Sequence, residues 1–106
     1  MLERFRLSGK GGVGPVSFNG RPLSAAASHR LVNHSPDGFA WGYGGSGPAQ
    51  LALAVLLAAG MPDQRALEFY QVFKADHIAT LPETFDVEVD LGEWIRGRGA
   101  RAPGRN

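Results

Sequence analysis

With 106 residues, 11 basic and 10 acidic side chains, the chain is sequence for a single domain, able to bury roughly 65% of its unfolded surface in one modest core. The lack of cysteine excludes disulfides and thiolate metal sites, and three separated histidines give no metal-ligand spacing. The apolar run 51–59 is far shorter than the roughly 20 residues a bilayer-crossing helix needs, and the first ten residues do not read as a secretion signal. The expectation is a cytoplasmic protein with no metal, no cofactor and no membrane contact.

In chain order, Arg4 and Arg6 alternate with Phe5 and Leu7, the period-two pattern of a half-buried strand. Residues 8–15 form a glycine-rich turn. Residues 16–18 and 21–23 flank Asn19-Gly20, the strongest short hairpin signal, since both central residues tolerate positive φ. Residues 24–28 read as a loop and 29–33 as a third strand. After the Ser35-Pro36-Asp37-Gly38 turn, Phe39, Trp41 and Tyr43 fall on one face of a fourth strand, whose other face carries only Ala40 and Gly42.

A helix follows over 48–59, with Gly47 or Ser46 as N-cap, Pro48 in its first turn and Gln50 placed to cap backward. Apart from Gln50 it is apolar on every side, the pattern of a central buried helix ended by Gly60 and Pro62. Asp63 caps a second helix over 64–80 with Ala66, Phe69, Tyr70 and Phe73 as its apolar stripe. Phe85, Val87, Val89 and Leu91 alternate with Asp86, Glu88 and Asp90, giving a fifth strand with an acidic face and a charged edge. A capping box at 90–93 opens a short last helix with Trp94 and Ile95 inward. The fold class is therefore α+β: a small antiparallel sheet of four to five strands packed against two main helices plus a short C-terminal helix. Residues 1–96 make one compact domain and 97–106 a disordered Gly/Arg-rich tail.

The charge is uneven. Residues 1–53 hold five bases and two acids, net +3; residues 54–95 hold two bases and eight acids, net −6; the remainder adds four arginines. The most unusual residues, 34–57, lie mostly in the basic part and hold five glycines, in and around the fourth strand and just ahead of the buried helix. A glycine-rich loop feeding a helix N-terminus presents unpaired N–H groups and the positive end of the helix dipole, a recipe for holding an anion. The candidate ligand-binding residues are Trp41 and Tyr43 as stacking rings, the amides of Gly44, Gly45, Ser46 and Gly47, Arg30 or Arg21 for charge, and His34. Structural roles account for the same residues: Ser46 as a cap, His34 bonding the turn, the aromatics as core.

Two motifs fail on inspection. KGGVG at 10–14 resembles the deviant phosphate loop of ParA and MinD type ATPases, but Pro15 and Val16 stand where that loop needs its lysine and its magnesium-binding hydroxyl. Ser46 between glycines resembles a nucleophile elbow, but Pro48 replaces the second required glycine. A triad of Ser46 with His34 or His29 and Asp37 is allowed by chain order and forced by nothing. The arginine-bearing tail lacks the interleaved aromatics of a nucleic-acid module, so nucleic acid is not an expected partner.

The runs NHSPDGFAWGYGGSGPAQLALAVLL at 33–57 and FYQVFKADHIATLP at 69–82 resemble a family of small proteins from bacteria and mobile elements known only as a domain of unknown function. That resemblance covers most of 16–95 and implies a compact α+β domain, with no catalytic residue to transfer. The leading function is a non-enzymatic binding protein holding an anionic or nucleotide-like small molecule at the loop, in one version sequestering a host signalling nucleotide. The alternatives are a phage or mobile-element protein-interaction module acting on a host protein through the acidic strand, and a Ser46-dependent hydrolase. A homodimer is compatible with either binding reading.

Overall fold

The computed structural model describes residues 1–35 and 38–100. Four strands, β1 (Arg4–Gly9), β2 (Val16–Phe18), β3 (Arg21–Pro22) and β4 (Phe85–Asp90), form one antiparallel sheet in the order β3-β2-β1-β4. The helices are α1 (Ala26–Leu31), α2 (Ser46–Ala58), α3 (Asp63–Phe73) and α4 (Leu91–Ala100), with a π-helical turn at Lys74–Ile78 continuing α3. The expected α+β architecture is what forms, with four strands.

The hairpin works as its turn residues dictate: Asn19 at φ 52° and Gly20 at φ 81° reverse the chain, and β2 pairs β3 through Phe18↔Arg21. On β1, register places Leu7 opposite Phe18 on one side and Val87 on the other. Phe5, Leu7, Val16, Phe85 and Val89 are buried against the helices. The other face is polar, and it is not the free acidic surface that β4 alone suggests. Arg6 grips Asp86 through two bonds (2.6 and 3.2 Å) and Arg4 lies 3.2 Å from Asp90. The Arg6 hydrogen bond holds the Asp86 carboxyl below its ordinary range.

α2 is buried from Gly47 through Leu56 and packs against α1, α3 and the π turn. It ends in a Schellman motif: Gly60 at φ 95° donates to the Leu57 carbonyl (2.9 Å) and Met61 to that of Leu56 (3.0 Å). At the head of α4, the Asp90 carboxylate accepts from the Glu93 N–H (2.9 Å), half of the expected capping box.

Two expected strands do not exist. Residues 26–31 are helical because Ala25, Ala26 and Ala27 are the strongest helix formers, and the Ser24 hydroxyl accepts the Ala26 N–H (3.1 Å) just ahead of the first turn. Residues 39–43 make only an isolated bridge, Val13↔Ala40. Trp41 and Gly42 turn their amides to Gly12 and Ile78 instead (3.1 and 3.0 Å). Pro62, not Asp63, is the N-cap residue of α3. α4 continues through four residues of the expected tail; residues 101–106 lie outside the described ones.

Candidate functional site

The glycine loop is held from beneath. Trp41 is 2% exposed; its indole N–H donates to the carbonyls of Pro82 and Glu83 (3.1 and 2.9 Å), and its ring meets Phe85 edge-on at 5.0 Å. The ring is therefore a strut tying the loop to the start of β4, with no face open to a ligand. Beyond it Tyr43 and Gly44 stand in solvent, Tyr43 at 53% exposure.

α2 begins at Ser46 with Gly45 as its N-cap and no side-chain cap. Ala49 is the first residue whose N–H finds a carbonyl of the same turn, that of Gly45 at 3.0 Å. Helix geometry leaves the Ser46 and Gly47 amides without intrahelical acceptors, and Pro48 has none to satisfy. Ser46 is exposed rather than capping. Gly47 is required by packing, since a Cβ there would lie 2.7 Å from that of Ala40.

These two residues line a concavity of about 390 Å³ whose other walls include Val13, Ser35, Phe39 and Tyr43. Val13 at 66% exposure and Tyr43 are two of the few large apolar side chains left in solvent, and both flank the same helix N-terminus. A larger depression of about 680 Å³ lies over Ser8, Lys10, Pro15, Ser17 and Asp86. It is a stretch of the polar sheet surface, with Asp86 already engaged by Arg6.

The opposite rim is fixed by Gln50, fully buried one turn into α2. Its Oε1 accepts the N–H groups of His34 (2.6 Å) and Ser35 (3.1 Å), while its amide donates to Ser28 Oγ (2.8 Å) and the Val32 carbonyl (3.0 Å). Ser28 Oγ in turn donates to the Ala25 carbonyl (2.8 Å). His34 shares a 2.8 Å hydrogen bond with the Tyr70 hydroxyl, and His29 Nε2 bonds the Ser35 carbonyl at 2.9 Å. One side chain thus pins the segment leaving α1 to the helix whose N-terminus forms the site.

The structure brings Tyr43, Ser46 and Gly47 together around the concavity, puts Gly44 and Gly45 in the loop behind them, and places His34 in the supporting network. Arg30 is exposed on α1 and does not line the concavity. Arg21 lies by Leu57 and Ala58, at the far end of α2. No hydrogen bond joins Ser46 to His29 or His34, and Asp37 lies outside the described residues, so no triad is assembled among those described. Gln50, Tyr70, Ser28 and Val13 were not anticipated as site residues. The signal for Gln50 was available: it is the lone polar residue in an otherwise apolar helix, and a buried amide must be hydrogen-bonded.

Among the described residues no group of three His, Asp or Glu side chains could hold a metal ion, and no helix is long and apolar enough to cross a membrane. The chain is an α+β domain built around one buried helix whose N-terminus opens on a small concavity. It belongs to a family of unknown function, DUF6166, whose match spans residues 7–97. No curated protein and no solved structure matches it.

Proposed function

We propose that the chain is a non-enzymatic binding domain whose ligand places one anionic or polar group on the Ser46 and Gly47 amides and an apolar or ring portion against Val13 and Tyr43. The observation that carries this reading is the convergence of two exposed apolar side chains on a concavity lined by the first turn of α2. With Arg21 and Arg30 elsewhere, no cation among the described residues lines it. A carboxylate, a single phosphate or a cyclic nucleotide with one charge per phosphate suits it better than a di- or triphosphate. Sequestration of a signalling nucleotide by a mobile-element protein is a biological role consistent with that chemistry.

A thermal-shift screen against phosphate, aliphatic and aromatic carboxylates, and cyclic mono- and dinucleotides tests the reading. Ligand at about 100 times its dissociation constant stabilises by about 2.7 kcal/mol, several degrees for a domain of this size. The sharpest variant is Ser46→Pro. Proline is tolerated at the first helical position, and Gly45 is already extended (φ −153°, ψ −164°), as the residue before a proline must be. The substitution removes one amide donor and leaves the helix, so stability changes by less than about 0.5 kcal/mol while the ligand-induced shift disappears. A flat screen, or a shift unchanged in Ser46→Pro, overturns the proposal.

The second reading, a protein-interaction module, is favoured by the open edge of β4 and by Glu88, which lies across from Arg6 in register while Arg6 is committed to Asp86. Its test is Glu88→Lys, which reverses a charge without breaking either arginine pair and should weaken a complex with a basic partner.

A further inference from the structure

Directly opposed residues of an antiparallel pair put their side chains on the same face of the sheet. Phe18 lies opposite Arg21, and the Phe18 ring stacks at 4.8 Å on Phe5, a member of the core between sheet and helices. Arg21 therefore leaves β3 on the face that the helices cover, at an open edge of the sheet. An apolar side chain is the ordinary occupant of such a position. Arg21 is exposed, and no ion pair engages it among the described residues.

Arg21 lines a groove of about 330 Å³ between β3, α1 and the last turn of α2. Phe18, Leu23, Ala27, Ala54 and Leu57 are among its walls, and of its nine lining residues only Arg21 and Ser24 carry polar side chains. The Ser24 hydroxyl already accepts the Ala26 N–H (3.1 Å). No acid lines the groove. Phe18, Leu23 and Leu57 stay half-buried along it while packing on the core, so a hydrocarbon laid there gains contacts and removes apolar surface from water. Nine residues are less than half of the roughly 20–30 that each side of a stable protein interface contributes, whereas the volume falls within the range of ligand clefts, about 300–1,000 Å³. The groove thus suits a small molecule better than a second copy of the chain. A charge turned inward at a sheet edge also discourages edge-to-edge pairing, but that role asks for no groove.

We propose that this groove is a second ligand site, for a small molecule with a hydrocarbon body and one carboxylate. The body lies on Phe18, Leu23 and Leu57, and the carboxylate meets the Arg21 guanidinium. The planar fork of arginine matches the two carboxylate oxygens, and one cation with no acid in the lining balances a single negative charge and repels a cationic head group. The groove shares no lining residue with the concavity at the other end of α2.

The probe is octanoate, titrated into the full chain while the methyl groups of alanine, valine and leucine are followed by ¹H–¹³C correlation, with hexanoate, octanol and octylamine in parallel. Octanoate should shift Ala27, Leu23 and Leu57 saturably and leave Val13 in place. It should bind about fivefold more tightly than octanol, as a partly exposed charge pair implies, and hexanoate should bind about three- to fifteenfold more weakly for its two missing methylenes. Octylamine should bind more weakly than octanol. Arg21→Gln should remove the preference for octanoate while octanol binds as before. Ala58 is exposed on the last turn of α2, so Ala58→Trp should fold and, by filling the groove from the helix side, abolish octanoate binding with the arginine in place. Octanol binding as tightly as octanoate, or an unchanged preference in Arg21→Gln, would reduce Arg21 to a blunted sheet edge and overturn the proposal. So would unchanged octanoate binding in Ala58→Trp, no saturable shift, or shifts centred on Val13, which would put the carboxylate at the N-terminus of α2 instead.

Discussion

His34 and His77 each pack against an aromatic ring, yet their surroundings differ in one respect. The His34 ring is bonded to Tyr70 and its backbone amide to Gln50, within a network in which Gln50 makes four hydrogen bonds. His77 packs on Phe73 and Trp94 with Nε2 unpartnered. The first region therefore acts as structure: satisfied polar groups inside a low-dielectric core specify one arrangement, here the path of the chain from α1 to the rim of the candidate site. The second carries an unmet hydrogen-bonding demand.

The largest effect should come from Gln50→Leu. The replacement fits the helix but strands the His34 and Ser35 amides and the Val32 carbonyl and takes one bond from the Ser28 hydroxyl, and since unsatisfied buried groups cost about 1–3 kcal/mol each, with some relief from water at the partly buried members, a loss of roughly 3–5 kcal/mol is expected. For a domain of about 100 residues each kcal/mol is worth about 4–8 °C, so the midpoint should fall by more than ten degrees in a thermal melt, and Ser46 and Gly47 should lose their common wall with Ser35. A loss below about 1 kcal/mol would mean that the network is not the structural member of the comparison.

Tyr70→Phe is the milder form of the same test. It leaves the Gln50 bonds intact and orphans only His34 Nε2, so about 1–2 kcal/mol should be lost in denaturant unfolding with an unchanged m value. The variant gives His34 the condition His77 already has. If it costs nothing, an orphaned imidazole is cheap in this fold and the contrast between the two histidines collapses.

What could be read in the chain divides along similar lines. The hairpin at Asn19-Gly20, the alternation of β4 and the buried α2 with its Gly60 ending are local patterns, each enforced within a few residues, and each stands where the pattern puts it. The aromatic alternation of Phe39, Trp41 and Tyr43 mimicked a strand, but their partners are distant: Trp41 answers to carbonyls at positions 82 and 83, which no local window contains. α1 was hidden by its alanines, read as loop because they are small although they favour helix. The π turn was hidden because α3 and Lys74–Ile78 share one continuous helical periodicity until packing rotates His77 inward. At the candidate site the glycine loop and the helix N-terminus were legible. Val13 as a wall was not, because it comes from a turn on the far side of the sheet sequence, and neither was the displacement of Arg21 to the other end of α2.

The smallest effect, and the one that addresses His77 alone, is its pH dependence. Burial among Phe73, Trp94 and Ile78 pushes the His77 pKa below the ordinary value of 6.5, with Asp76 partly opposing the shift. The unfolded chain then binds the proton more readily than the folded one, so the histidine's neutral form contributes stability that is fully present above about pH 6.5 and is lost as pH falls from there through the lower folded value. Two consequences separate His77 from His34. His77→Leu should raise stability at pH 7.5 by about 1 kcal/mol, since an apolar side chain replaces an orphaned polar one, and it should flatten the decline below about pH 6.5 expected of the parent chain in chemical denaturation. A parent chain whose stability does not change across that window, or a variant that keeps the same slope, would show that His77 exchanges its proton as freely folded as unfolded and that its ring nitrogen already reaches water.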